Sequence, residues 1–361
     1  RKQRTTDDYF RAGRHMPVWA VAASILATAL SAATFIGAPQ IAYTGNLSYV
    51  STNLGGILAI LFVAFVIIPA CYRHNVVTVY ELLDERFGIV TRRAAGVMYM
   101  LGRTLAIGAR GYIGALPASL IIWGDLSSWH IAIGVIVLTT AGVLYTIIGG
   151  IGTVIWTDFV QTCVFVLAAV LAIWILLNRI DMPLGDIFHA LSQPINTQLP
   201  GAGSKLTLID TSFDLTRSFS IWSVLIAFTL LQLGSYGTDQ DMIQRMLTCK
   251  NAVAGSRSAI YGIIVGIPVT LLFLSIGLLL YIFYARPDIM GQNAPSYAVD
   301  DSRKVFLSFI LREMPAGLSG LMIAGLFAAG LSSVNSTLNA MSATLIEDFY
   351  KPWKSEKTEK H

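Results

Sequence analysis

Residues 57–70, 131–148, 159–177 and 260–283 are long runs of apolar side chains, several near the roughly 20 residues an α-helix needs to cross a bilayer core. Lipid offers backbone N–H and C=O groups no partner, so a span is either a helix or a strand of a closed barrel. These runs are too long and unbroken for barrel strands, which leaves helices. A hydrophobic share of 55% against 13% charged residues agrees with a polytopic membrane protein and not with a soluble one.

The pattern predicts about eight spans, near 17–44, 48–72, 92–123, 128–149, 153–178, 218–246, 254–285 and 313–346. With the N-terminus in the cytoplasm, the segments on that side carry sixteen Lys and Arg, Arg245 among them, against seven on the other, Lys205 among them. Basic residues resist translocation, so this orientation is expected, with the chain in a plasma (inner) membrane. The net charge of +4 is thus a topology signal. No basic cluster interleaved with aromatics suggests a nucleic-acid partner. The expected organisation is a cytoplasmic segment over 1–16, five helices over 17–178, an external loop over 179–217, three helices over 218–346 with a second loop near 286–312, and a cytoplasmic tail over 347–361. Because the chain opens on RKQRTTDDYF without Met and ends in a charged tail, it reads as a piece of a longer protein.

Two spans look interrupted. The first contains Ser31, Thr34, Gly37 and Pro39 in an apolar setting, and the sixth contains Gly234, Ser235 and Gly237 in the corresponding place. A pair of broken helices five spans apart points to an inverted-repeat transporter, in which unwound turns near the midplane hold an ion and a solute. Small residues at helix crossings give the same composition for packing alone.

Polar side chains inside the spans mark the candidate chemistry. Ser332, Ser333, Asn335, Ser336 and Thr337 crowd one apolar helix. Ser332, Asn335 and Ser336 share a face at i, i+3 and i+4. Hydroxyls joined to carbonyls of a broken helix make an oxygen cage suited to Na+; the plainer reading is hydrogen bonding within or between helices. Asp158, at the start of the fifth span, is either a functional carboxylate at membrane depth or a charge placed favourably at a helix N-terminus. Arg103 and Arg110 lie seven residues apart on one face, so each either receives a carboxylate from a solute or forms an internal ion pair. Cys71, Cys163 and Cys249 have unrelated spacings, and no phosphate loop, nucleophile elbow or paired His is visible, so neither a disulfide framework nor an enzyme is expected.

Several short motifs occur in a specific order: Asp7-Asp8-Tyr9-Phe10, LATALSAATFIGAP, Tyr80-Glu81-Leu82-Leu83 leading to Arg86-Phe87, Tyr145-Thr146 with Gly149-Gly150, and Ile155-Trp156-Thr157-Asp158 with Gln161. With Gln240 to Arg245 and Ser332-Ser333 they resemble the sodium/solute symporter family over nearly the whole chain. The resemblance implies an all-α membrane protein with a leucine-transporter-like inverted-repeat core, here truncated at both ends: one preceding helix and the last two core helices are lacking, so the second repeat is incomplete. It implies a main sodium site formed by the carbonyls of Ala27, Leu30 and Ala329 with the hydroxyls of Ser332 and Ser333. A second site would use Asp158 and Ser336, with Asn335 where sialic acid carriers have serine. For the solute, Ser31 and Thr34 match hydroxyl positions of those carriers, Asn53 replaces a glutamine, Arg110 is the matching arginine with Arg103 in reserve, and Tyr236 lies in the sixth-span break. The implied function is sodium-coupled symport of a small organic anion, sialic acid first. A monocarboxylate, vitamin or sugar, or a sensory role in a symporter-like receptor, are the alternatives.

Overall fold

The computed structural model describes residues 6–353 apart from 126, 194–203, 215, 298 and 300. The start of the expected N-terminal segment, the middle of loop 179–217 and the tail beyond 353 lie outside the described residues. The described residues are mostly helical, and their only β feature is an isolated bridge between Asp210 and Ser220.

A short helix α1 (Thr6–Arg11) precedes the first span, which is two helices, α2 (Val18–Ala29) and α3 (Ala32–Thr44), bent by 62°. The break falls at Leu30 and Ser31, both extended. Gly37 and Pro39, expected to mark it, lie inside α3. Next come α4 (Leu47–Arg73), α5 (Glu81–Trp123) and α6 (Ser128–Ile180). Positive φ at Gly88 bends α5 and at Gly150 bends α6, which divides α6 where the fourth and fifth spans were expected to meet. After the loop helix α7 (Leu184–Ser192), the sixth span is again a pair, α8 (Ile221–Gly237) and α9 (Gln240–Met246), also bent by 62°. Here Thr238 and Asp239 separate the halves, and the Asp239 side chain caps α9 by accepting from the Asp241 N–H. The chain ends through α10 (Ala252–Ala285), the loop helices α11 (Pro287–Met290) and α12 (Val305–Arg312), and α13 (Ala316–Trp353).

By length and composition, α4, α10, α13 and the second part of α6 (Gly149–Ile180) can each cross a membrane, as can both bent pairs taken whole. Arg92, Arg93, Arg103 and Arg110 make α5 less apolar, and the first part of α6 (Ser128–Leu144) is shorter; they occupy the third and fourth expected spans.

Two apolar clusters flank the break in the first span. One gathers Leu26, Leu30 and Phe35 with Phe165, Phe273 and Phe306; the Phe35 ring lies 5.3 Å from each of those three rings. The other gathers Ile25, Val63, Ile155, Tyr236 and Ile243. Helix α3 reaches α10 very closely: a Cβ on Gly277 would stand 2.1 Å from the Pro39 carbonyl oxygen, so only glycine fits that crossing.

Candidate functional site

In a continuous helix the Ser31 N–H would bond the Ala27 carbonyl and the Thr34 N–H the Leu30 carbonyl. At the break both donors turn away: Ser31 N–H goes to Thr34 Oγ1 (3.4 Å) and Thr34 N–H to the Ser31 carbonyl (2.9 Å). The carbonyls of Ala27 and Leu30 are thereby released. These two residues line one small cavity with Gln161, Thr162, Phe165 and Ser332, about 10 Å³ in volume and so large enough for one small ion or water. Ser332 and Ser333 are buried in α13, and Ala329 lies one turn earlier in the same helix. Gln161, quoted above only for the family resemblance, adds a buried Oε1 that has no hydrogen-bond partner among the described residues. Its signal in the sequence was an amide one turn beyond Asp158 in an apolar span.

Ser332 donates its hydroxyl proton to Asp158 Oδ1 at 2.5 Å, which leaves its oxygen lone pairs for another partner. Asp158 is fully buried in α6 and belongs to a larger ionic chain. Its Oδ2 accepts from Ser24 Oγ (2.5 Å) and from Arg245 Nη2 (3.1 Å). Arg245 also donates to Ser24 Oγ (2.8 Å), to Asp241 Oδ1 (2.6 Å) and to Ser336 Oγ. Asp241 Oδ2 accepts from Thr337 Oγ1 (3.1 Å) and pairs with Arg103 (3.3 Å), whose Nε donates to Asp239 Oδ1 (3.1 Å). Three carboxylates and two guanidiniums therefore alternate from the cavity to the break in the sixth span.

Arg245, counted among the basic residues of the cytoplasmic side, has no exposed surface, because α9 turns it inward between α2, α6 and α13. Arg103 takes the internal ion pair, the plainer of its two readings. Its pair borders a cavity of about 700 Å³ lined also by Tyr80, Tyr99, Gly234 and Ser235.

The structure joins Asp158 and Ser336 through Arg245 and sets Asn335 elsewhere. The Asn335 Oδ1 lies where a Cβ on Gly142 of α6 would approach to 2.6 Å, and among the described residues it has no hydrogen-bond partner. Of the solute candidates, Ser31 is buried at the N-terminus of α3 with Thr34 beside it. Arg110 is half-buried and, among the described residues, has neither an ion pair nor a hydrogen bond, although Arg103, Asp241 and Asp239 act on it electrostatically. Asn53 donates to the Val50 carbonyl of its own helix at 2.9 Å. Tyr236 is buried in the cluster with Val63 and Ile243.

Comparison with known proteins gives three findings. The model of the sodium:solute symporter family matches residues 9–361. The chain is 28% identical to the sodium/sialic acid symporter NanT of Aliivibrio fischeri, over 97% of this chain and 66% of the relative, and 30% identical to the bovine (Bos taurus) sodium-coupled monocarboxylate transporter 2, over 97% and 54%. It thus spans between about half and two thirds of the length of these relatives. Among solved structures it superposes on a substrate-bound, outward-open Na+-coupled sialic acid symporter with a TM-score of 0.85 and 27% identity, covering 99% of this chain and 72% of the other. A nucleobase-cation-symport-1 family transporter shares the fold with a TM-score of 0.59 at 14% identity.

Proposed function

Because the chain belongs to the sodium:solute symporter family, we propose that it forms most of the transport core of a carrier that couples Na+ entry to uptake of a small organic anion, sialic acid first. The observation that carries this reading is the break that releases the carbonyls of Ala27 and Leu30, two residues that line one small cavity with the buried Ser332. Carbonyl and hydroxyl oxygens suit a hard monovalent cation, and the ligands come from both the broken first span and α13. Sodium is therefore bound best when these elements are close together, and so favours that arrangement over others. The ion gains about 2.3 kcal/mol per 100 mV of membrane potential as it moves inward, in addition to its concentration gradient.

The anion reading rests on three features. Ser31 and Thr34 stand at the start of α3, where a helix N-terminus favours negative charge, and Arg110 supplies a cation that has no ion pair among the described residues. A second sodium on Asp158 and Ser336 requires Arg245 to release Ser336, so we assign one ion to the main site in this arrangement. Inverted repeats in the leucine-transporter manner, with the α1 end of the bundle in the cytoplasm of a plasma membrane, complete the proposal. For sidedness, a cysteine replacing Thr44 at the opposite end should react with an impermeant thiol reagent added to intact cells; protection there and reaction only after lysis would reverse the orientation.

The functional test is a thermal-shift screen of the full-length protein against organic acids and sugars, with and without sodium. Stabilisation by sialic acid that needs sodium is expected. A response to lactate or another monocarboxylate alone selects the second reading, which the 30% identity to the bovine monocarboxylate transporter favours. No sodium-dependent response to any solute removes the proposal.

A further inference from the structure

A lysine in a membrane protein's surface loop ordinarily keeps its ammonium in water, but Lys205 does not. It lies in the stretch that follows α7, where its N–H bonds the Leu191 carbonyl at 3.0 Å, and its side chain is 1% exposed. The ammonium reaches the C-terminal end of α3 and donates to the carbonyls of Ala42 (3.3 Å), Tyr43 (2.5 Å) and Gly45 (2.9 Å). The face of the Tyr281 ring on α10 covers it, 4.0 Å from nitrogen to ring centre. Among the described residues Lys205 has no carboxylate partner. Its charge is met by oxygen dipoles and a π-face alone.

The last carbonyls of a helix lack partners within it, and the negative end of the helix dipole attracts a cation there. Three such carbonyls converging under an aromatic face are the donor set that binds ammonium and other monovalent cations. We propose that the end of α3 is a built monovalent-cation cage, that Lys205 is its tethered occupant, and that this occupant positions α3 for sodium binding at the other end of the helix. Helix α3 is 13 residues long and so only about 20 Å from the cage to the break. The same rigid element that ends under Lys205 begins beside Leu30 and Ser31, whose geometry frees the sodium ligands. Pinning one end fixes the direction of the other. Lys205 acts through α3 and touches neither ion nor solute, so it is a positioning residue. This last step rests on the sodium reading above; the cage itself does not.

The test uses the full-length protein at pH 7, where Lys205, drawn down to about 8 by burial, is still charged. Lys205→Ala removes the three methylenes and the nitrogen that n-propylammonium would restore. Propylammonium is expected to raise the melting temperature of Lys205→Ala and not of the unaltered protein, with no sodium present. Tetramethylammonium, which donates no hydrogen bond, is expected to have no effect. Lys205→Ala should also need about tenfold more sodium for half-maximal stabilisation, and propylammonium should recover most of that loss.

Equal responses of the variant to the two ammonium salts would overturn the cage. Unchanged sodium affinity in the variant would overturn the positioning role. If the unaltered protein shows no sodium response, the symport reading falls while the ammonium comparison still judges the cage. Where Lys205→Ala does not survive extraction, Lys205→Met and Lys205→Arg decide it: weakened sodium affinity in the first with near-normal affinity in the second supports the proposal, and normal affinity in Lys205→Met ends it.

Discussion

Ser332→Ala in the full-length protein is expected to raise the sodium concentration for half-maximal thermal stabilisation by about tenfold or more, and Ser332→Ala with Ser333→Ala to abolish sodium-driven uptake. The size follows from what the hydroxyl does. Ser332 donates its proton to Asp158 Oδ1, so its oxygen keeps lone pairs for a cation, and it lines one small cavity with Ala27 and Leu30. A serine whose proton is held by a carboxylate is a better cation ligand than one free to rotate, because its dipole is already aligned. Alanine removes that ligand and one of the three hydrogen-bond donors to a buried carboxylate, and hydrogen bonds to charged groups are each worth about 1.5–3 kcal/mol. Melting in sodium-free buffer separates the two effects: lost folding lowers it, whereas lost binding changes only the response to added sodium. Should the double variant keep the sodium affinity of the parent, the ion does not sit in this cavity.

The break and the cluster around Ser332 were legible in the sequence because both violate a local rule: polar and small side chains interrupt an apolar helix. Their placement was less so. Of the four residues read as the interruption, Ser31 and Thr34 make the turn, whereas Gly37 and Pro39 are accommodated within α3, where the Pro39 carbonyl meets Gly277. Family membership, and the sodium coupling of the relatives, agree with the resemblance read from the motifs. What the sequence hid were two cations. Arg245 stands near a span end and Lys205 in a loop, where basic residues normally meet water, and nothing adjacent to either marks it as buried. Their partners are remote: Asp158 is 87 residues from Arg245, and the Tyr43 carbonyl is 162 from Lys205. Local pattern reports which face of a helix is apolar; it does not report that another helix will bring a carboxylate or three bare carbonyls to the polar side.

Arg245→Leu is expected to destabilise the full-length protein by about 3–5 kcal/mol, with a smaller combined loss when Asp158→Asn is added than the two single losses would sum to. The guanidinium serves Ser24, Asp158, Asp241 and Ser336 at once, so its removal leaves two buried carboxylates short of countercharge. Asp241 keeps Arg103 and Thr337, whereas Asp158 keeps only the hydroxyls of Ser24 and Ser332, which places most of the strain on Asp158. Neutralising Asp158 relieves that strain, and this is the source of the non-additivity. Arg245→Lys is not a conservative change here: three donors on a point charge cannot reach acceptors spread around a planar fork. Melting of the four proteins in the cycle, without sodium, measures the coupling, and strictly additive losses would show that the pair does not interact. Sodium response then separates stability from function. Asp158 is the member of this chain that bonds Ser332 at the sodium cavity, so Asp158→Asn removes a negative charge from beside the ion and is expected to lose sodium affinity even where it restores folding to Arg245→Leu.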